Sequence, residues 1–123
     1  VPPMRPRTYA YCADTRYNEK IIPYIKQADL LYHEATFDES HKELAYQNFH
    51  STARQAGEIA RMAAVRELLI GHLSARYKGQ ESTLLQQAQA VFPNTRLVHD
   101  GDVFAVPPVR LTEEEYLDLL PQS

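Results

Sequence analysis

A single cysteine, Cys12, is present among 123 residues, so no disulfide can form within the chain. That fits a reducing cytoplasm. No apolar run approaches the roughly 20 residues of a membrane-spanning helix, and no place in a membrane is expected. Residues 1–7 hold three prolines and two arginines but no hydrophobic signal region. They read as an entry loop, not a targeting segment. Position 1 is Val1 and not methionine, which reads as a chain cut from something longer. Excess positive charge is also missing: 13 Lys and Arg stand against 16 Asp and Glu, a net charge of −3. A protein that grips nucleic acid with its whole surface is usually basic, so any RNA contact here is local. Internal repeats and low-complexity tracts are absent from the sequence.

What is present suits one modest domain, with 44% hydrophobic and 24% charged residues. Residues 8–13 form a short apolar run rich in β-formers and predict a buried strand ending at Asp14. Asn18 predicts a helix cap, followed by the apolar stripe Ile21, Ile22, Ile25 and Ala28, with Pro23 tolerable in the first turn. Residues 29–32 predict a second strand ending at His33. The polar stretch 38–48 reads as loop or loose helix. Thr52 and Gln55 form a capping-box pair ahead of Ala56, Ile59, Ala60 and Ala63 at helical spacing. Residues 67–71 predict a third strand ending at His72. Leu84, Leu85, Ala88, Val91 and Phe92 share one face of another helix. Residues 96–99 and 102–106 suggest a hairpin turned at Asp100-Gly101. Thr112 and Glu115 then cap an acidic terminal helix. The division is an αβ unit over 1–107 and a helix over 108–123. Alternating strands and helices imply a layered α/β sheet whose first strands run parallel.

Chemistry gathers where three of these strands end: at Asp14, at His33-Glu34 and at His72. If the strands are parallel, all three ends meet at one edge of the sheet, where ligands and metals collect in open α/β folds. Asp and His suit zinc, and carboxylate with imidazole also suits manganese or iron. His50 precedes the clearest helix. A phosphate resting against Ser51 and Thr52 would meet free N–H groups there, with His50 able to donate a proton to a leaving oxygen. Arg54 adds charge one turn in, and Arg76 and Lys78 place cations beyond His72. His33, next to Leu30 and Leu31, reads as a core histidine. His41 and His99 read as surface residues.

At these same residues the sequence resembles ribonuclease Z, of the metallo-β-lactamase superfamily. The blocks are YCADT at 11–15, HEATF at 33–37, HSTARQ at 50–55 and HLSARY at 72–77, in the family's order. The resemblance implies the C-terminal half of an αββα sandwich, a mixed sheet with helices on one side. It implies a zinc-dependent endoribonuclease that trims the 3′ end of precursor tRNA, with manganese as an alternative ion. Asp14 falls on the carboxylate bridging two metals and His72 on a late metal histidine. His50 falls on the histidine that assists proton transfer. Glu34, Ser51 and Thr52 fall in loops near the tRNA acceptor end and Arg76 in the block that follows the metal histidine; with Arg54 these are the expected substrate-binding residues. The resemblance further implies a cytoplasmic homodimer.

Many relatives carry glycine where this chain has Ala13. The family's HxHxDH motif belongs upstream of the first block, and none of the five histidines here forms an HxH pair. Asp14 and His72 alone are too few ligands for a tight zinc site. These 123 residues by themselves are therefore expected to be inactive, completed by the other half of the same protein. The alternatives are a sister hydrolase acting on a small phosphodiester or sulfate ester, and a non-catalytic half-domain.

Overall fold

The computed structural model describes residues 4–5, 7–13, 16–99 and 109–110. Its main sheet has four parallel strands in the order β2 (Tyr9–Cys12), β3 (Leu30–Glu34), β4 (Glu67–Gly71) and β5 (Thr95–Leu97). A separate antiparallel pair joins β1 (Met4–Arg5) to β6 (Val109–Arg110). The expected turn at Asp100-Gly101, the strand at 102–106 and the acidic helix after Thr112 lie outside the described residues, as does Asp14.

The crossovers follow the sequence pattern. Asn18 caps a 3-10 turn at Glu19–Ile21 by accepting from the Lys20 N–H, and α1 (Ile22–Ile25) continues it with Pro23 in its first turn. Between β3 and β4 come a second 3-10 turn at Glu39–His41, α2 (Lys42–Gln47) and α3 (Ala53–Ala63). Thus the polar stretch expected to be loop or loose helix is a turn and six helical residues. The predicted capping box is present: Thr52 accepts from the Gln55 N–H at 3.1 Å, and the Gln55 side chain accepts from the Thr52 N–H at 2.9 Å. The helix stops where Ala64 turns left-handed at φ 53°. α4 (Glu81–Val91) leads to β5.

Alternation along the strands sorts their faces. Leu31, Leu68 and Ile70 join Ala56, Ile59, Ala60, Ala63, Leu84 and Ala88 in one buried cluster, so the helices cover that side. Leu30 and Leu69 form a smaller cluster with Tyr32 and Val98 on the opposite face, where Tyr9 and Tyr11 remain exposed. α3 and α4 approach closely at Gly57, where an added Cβ would stand 2.8 Å from the Ala88 carbonyl oxygen. Gly57→Leu is expected to destabilise the fold by about 1–3 kcal/mol through overpacking, read by denaturant unfolding.

His33 sits within β3, not at its end, because the strand runs two residues further than its apolar run suggests. Its Nδ1 bonds the Glu34 carbonyl at 2.8 Å, while its buried Nε2 has no partner. Burial holds its pKa below the ordinary 6.5, against the weaker pull of Glu34. The unfolded chain takes up this proton below about pH 6.5 and the folded chain resists it, so stability present at neutral pH is lost as pH falls. The unfolding midpoint should drop between pH 7 and pH 5, and His33→Leu should flatten that slope.

Candidate metal and proton-transfer site

Parallel pairing brings the carboxyl ends of β3 and β4 side by side, with Glu34 opposite Gly71. His72 follows directly, in a left-handed conformation with φ 59°. From the other side the 48–52 loop presents His50. Glu34, His50 and His72 thereby converge, with candidate ligand atoms within 4.8 Å of one another. The two imidazole rings lie 5.6 Å apart, centre to centre.

Glu34 organises the cluster from below. Its side chain is fully buried, so its oxygens require donors. Oε1 accepts from His50 Nδ1 at 2.8 Å. Oε2 accepts from the Thr36 hydroxyl at 2.6 Å, from the Ser51 N–H at 3.1 Å and from the Thr36 N–H at 3.3 Å. With Nδ1 bound to Glu34, His50 keeps Nε2 for chemistry on its outer side; the side chain is 20% exposed. This is the arrangement of a histidine held in one tautomer by a buried carboxylate.

Thr36 carries the same logic to His72. Its single hydroxyl proton goes to Glu34, so its lone pairs face the histidines. It lies 3.2 Å from His72 Nδ1 and 3.4 Å from His50 Nδ1. His72 therefore donates from Nδ1 to Thr36 and leaves Nε2 available on an exposed ring. A metal-binding histidine is usually anchored this way, one nitrogen to an oxygen and the other to the ion. Glu34 is the poorer ligand of the three, because both its oxygens are already hydrogen-bonded.

The residues named from sequence separate into two groups. His50, His72 and Glu34 come together. Ser51 and Thr52 lie beside them but are fully buried. The Ser51 N–H is bound to Glu34 and the Thr52 N–H to Gln55. The Ala53 N–H is bound to the Phe37 carbonyl, and the Thr52 hydroxyl donates to Glu39 at 2.6 Å. The helix start is thus filled from within the protein, and in this conformation its donors do not face a phosphate. Arg54 is exposed and pairs with Glu58 at 3.2 Å. Arg76 is exposed, its guanidinium 5.5 Å from the centre of the Phe37 ring. Thr36 was missed by sequence reasoning; its place in the HEATF block was the only signal. His41, expected to be a surface residue, is a partly buried member of a network with Asp38 and Tyr77.

No family model matches the chain. Curated relatives do. The chain is 56% identical over 100 residues to ribonuclease Z of Phocaeicola vulgatus, covering 81% of this chain and 32% of that protein. It is 44% identical over 106 residues to ribonuclease Z of Cytophaga hutchinsonii, covering 86% and 34%. Among solved structures it is similar to the metallo-β-lactamase fold protein YhfI from Bacillus subtilis, with a TM-score of 0.71 and 27% identity over 85% of this chain and 48% of that one. It is also similar to the short form of human tRNase Z, with a TM-score of 0.54 and 28% identity over 70% and 27%. The chain spans about a third of the length of the ribonuclease Z relatives it matches. The chain has part of the metallo-β-lactamase fold, and the resemblance to ribonuclease Z read from the four sequence blocks is borne out.

Those relationships imply metal use, and Glu34, His50 and His72 lie close enough together to be candidate ligands. Thr36→Val removes the hydroxyl that orients His72 while keeping the side chain's shape. In the complete protein it should weaken divalent-metal binding about 10–100-fold, measured by competition with a chromophoric chelator.

Proposed function

We infer, from kinship with ribonuclease Z over the matched 100 residues, that this chain is the C-terminal part of a tRNA 3′-processing endoribonuclease. The observation that carries the reading is the Glu34–His50 pair beside His72, at the edge of the sheet where the related sequence blocks meet. The substrate is a precursor tRNA, cut after the discriminator base.

His72 and Asp14 are the residues of this chain that would hold metal, zinc by preference and manganese as an alternative, with the remaining ligands on the other half of the protein. Bound there, such ions would supply positive charge for phosphate polarisation and water activation. The task of the protein groups described here is the leaving side of the reaction. His50, held by Glu34, offers a proton from Nε2 to the departing 3′ oxygen. Glu34 keeps the His50 ring in place. Ser51 and Thr52 act indirectly: the first supplies a backbone donor to Glu34, and the second caps α3 so that the His50 loop keeps its shape. Arg54 and Arg76, both exposed, are the cations that meet RNA phosphates. A homodimer in the cytoplasm, completed by the other half of each chain, is the proposed assembly. Among the described residues no helix is long and apolar enough to cross a membrane.

Cleavage of a 3′-extended precursor tRNA by the complete protein is the direct test. His50→Ala should lower kcat about 10²–10⁴-fold with bound metal unchanged. Glu34→Gln should lower kcat by a smaller factor in the same direction. His72→Ala and Asp14→Ala should each lose metal and several orders of magnitude of activity. A complete protein that leaves precursor tRNA intact, or variants that match it, would sink the reading.

A further inference from the structure

The HLSARY block ends in Tyr77, a residue for which the chemistry above has no task. Its neighbours Arg76 and Lys78 are exposed, yet Tyr77 is only 4% exposed. A buried phenol requires hydrogen-bond partners, and these come from the loop after β3. The Tyr77 hydroxyl accepts from the Asp38 N–H at 3.1 Å and bonds the Asp38 carboxylate as well. It also lies 3.0 Å from His41 Nδ1, with the two rings edge to face. Asp38 Oδ1 accepts from His41 Nδ1 at 2.7 Å and from the Ser40 hydroxyl at 2.8 Å. Burial pushes the Asp38 carboxyl up, but the donors His41, Ser40 and Tyr77 together hold it below its ordinary value. The loop after β4 is therefore locked to the loop after β3 at a further point, beyond the Thr36–His72 and Thr36–Ser74 contacts.

The lock bears on Arg76. Its guanidinium lies over the Phe37 ring, and that ring is tilted against the rings of both His41 and His50, with centroids 6.5 Å and 6.2 Å away. Tyr77 is the adjacent residue, so fixing its hydroxyl fixes the backbone from which Arg76 extends. A free arginine loses rotamer entropy when it clasps a phosphate, and an arginine held in advance loses less.

We propose that Tyr77 is a positioning residue: bound to Asp38 and His41, it holds Arg76 over Phe37, the ring that neighbours His50, and so sets the grip on an RNA phosphate near the one cleaved. The proposal rests on the ribonuclease reading, and it places the effect in substrate binding, not in proton transfer or metal retention.

Tyr77→Phe in the complete enzyme removes only the hydroxyl. With 3′-extended precursor tRNA, KM should rise about tenfold while kcat stays within about twofold and bound metal is unchanged. Arg76→Ala should raise KM at least as much. The double variant should be no worse than Arg76→Ala alone, because Tyr77 works through Arg76. If Tyr77→Phe does not fold, His41→Ala, at a partly exposed position, enters the same cycle. His41→Asn, which keeps an N–H for Asp38, should then recover most of the loss. A fall in kcat or metal content with KM unchanged, or effects that multiply in the double variant, would overturn the proposal. A wild-type enzyme inert on precursor tRNA would overturn the ribonuclease reading instead, and the proposal with it.

Discussion

A carboxylate taken wholly out of water must be met by donors, and the site is built around that requirement at Glu34. These four bonds come from Thr36, just past the end of β3, and from His50 and Ser51 in the loop before α3. Each donor is thereby held in place. His50 is restricted to one useful nitrogen, Thr36 is left with lone pairs that anchor His72, and the Ser51 backbone is pinned below the helix cap. A single buried charge thus couples residues 34, 36, 50, 51 and 72, and a functional group is oriented by hydrogen bonds it does not itself use for chemistry.

The parallel sheet makes this coupling possible. Because β3 and β4 run in the same direction and in register, the chain leaves both strands at one edge, and their loops meet. The Phe37 to Thr52 bridge and the Ser74 N–H bond to the Thr36 carbonyl at 2.9 Å stitch those loops further. Beneath them the small residues of α3 let α4 pack closely, giving the loops a rigid floor. Rigid support is what metal and proton-transfer geometry demands, since small misplacements at such sites cost large factors in rate.

Above the floor, the same two loops are joined by Asp38, His41 and Tyr77, and their exposed member is Arg76. The two loops therefore carry two separate hydrogen-bond groups. The first centres on a buried carboxylate with no exposure, the second on a phenol at 4% exposure.

The α/β class, the capping box at Thr52, the helix-facing alanines of α3 and the convergence of strand ends were all legible in the sequence. Each depends on local pattern: a period of two or 3.6, a cap three residues from its partner, a polar residue where an apolar run stops. The four blocks also named Glu34, His50 and His72 as site residues, with Glu34 expected near the tRNA end, His50 in proton transfer and His72 on a metal. What only the tertiary structure decided is which of them face inward. Glu34, Ser51 and Thr52 are buried, His33 lies inside β3, and His41 belongs to a network. The deciding bonds join residues 16 to 39 positions apart. They follow from strand register and loop packing, which no local spacing encodes, so a residue's type was readable early and its partner only once the sheet had brought the two together.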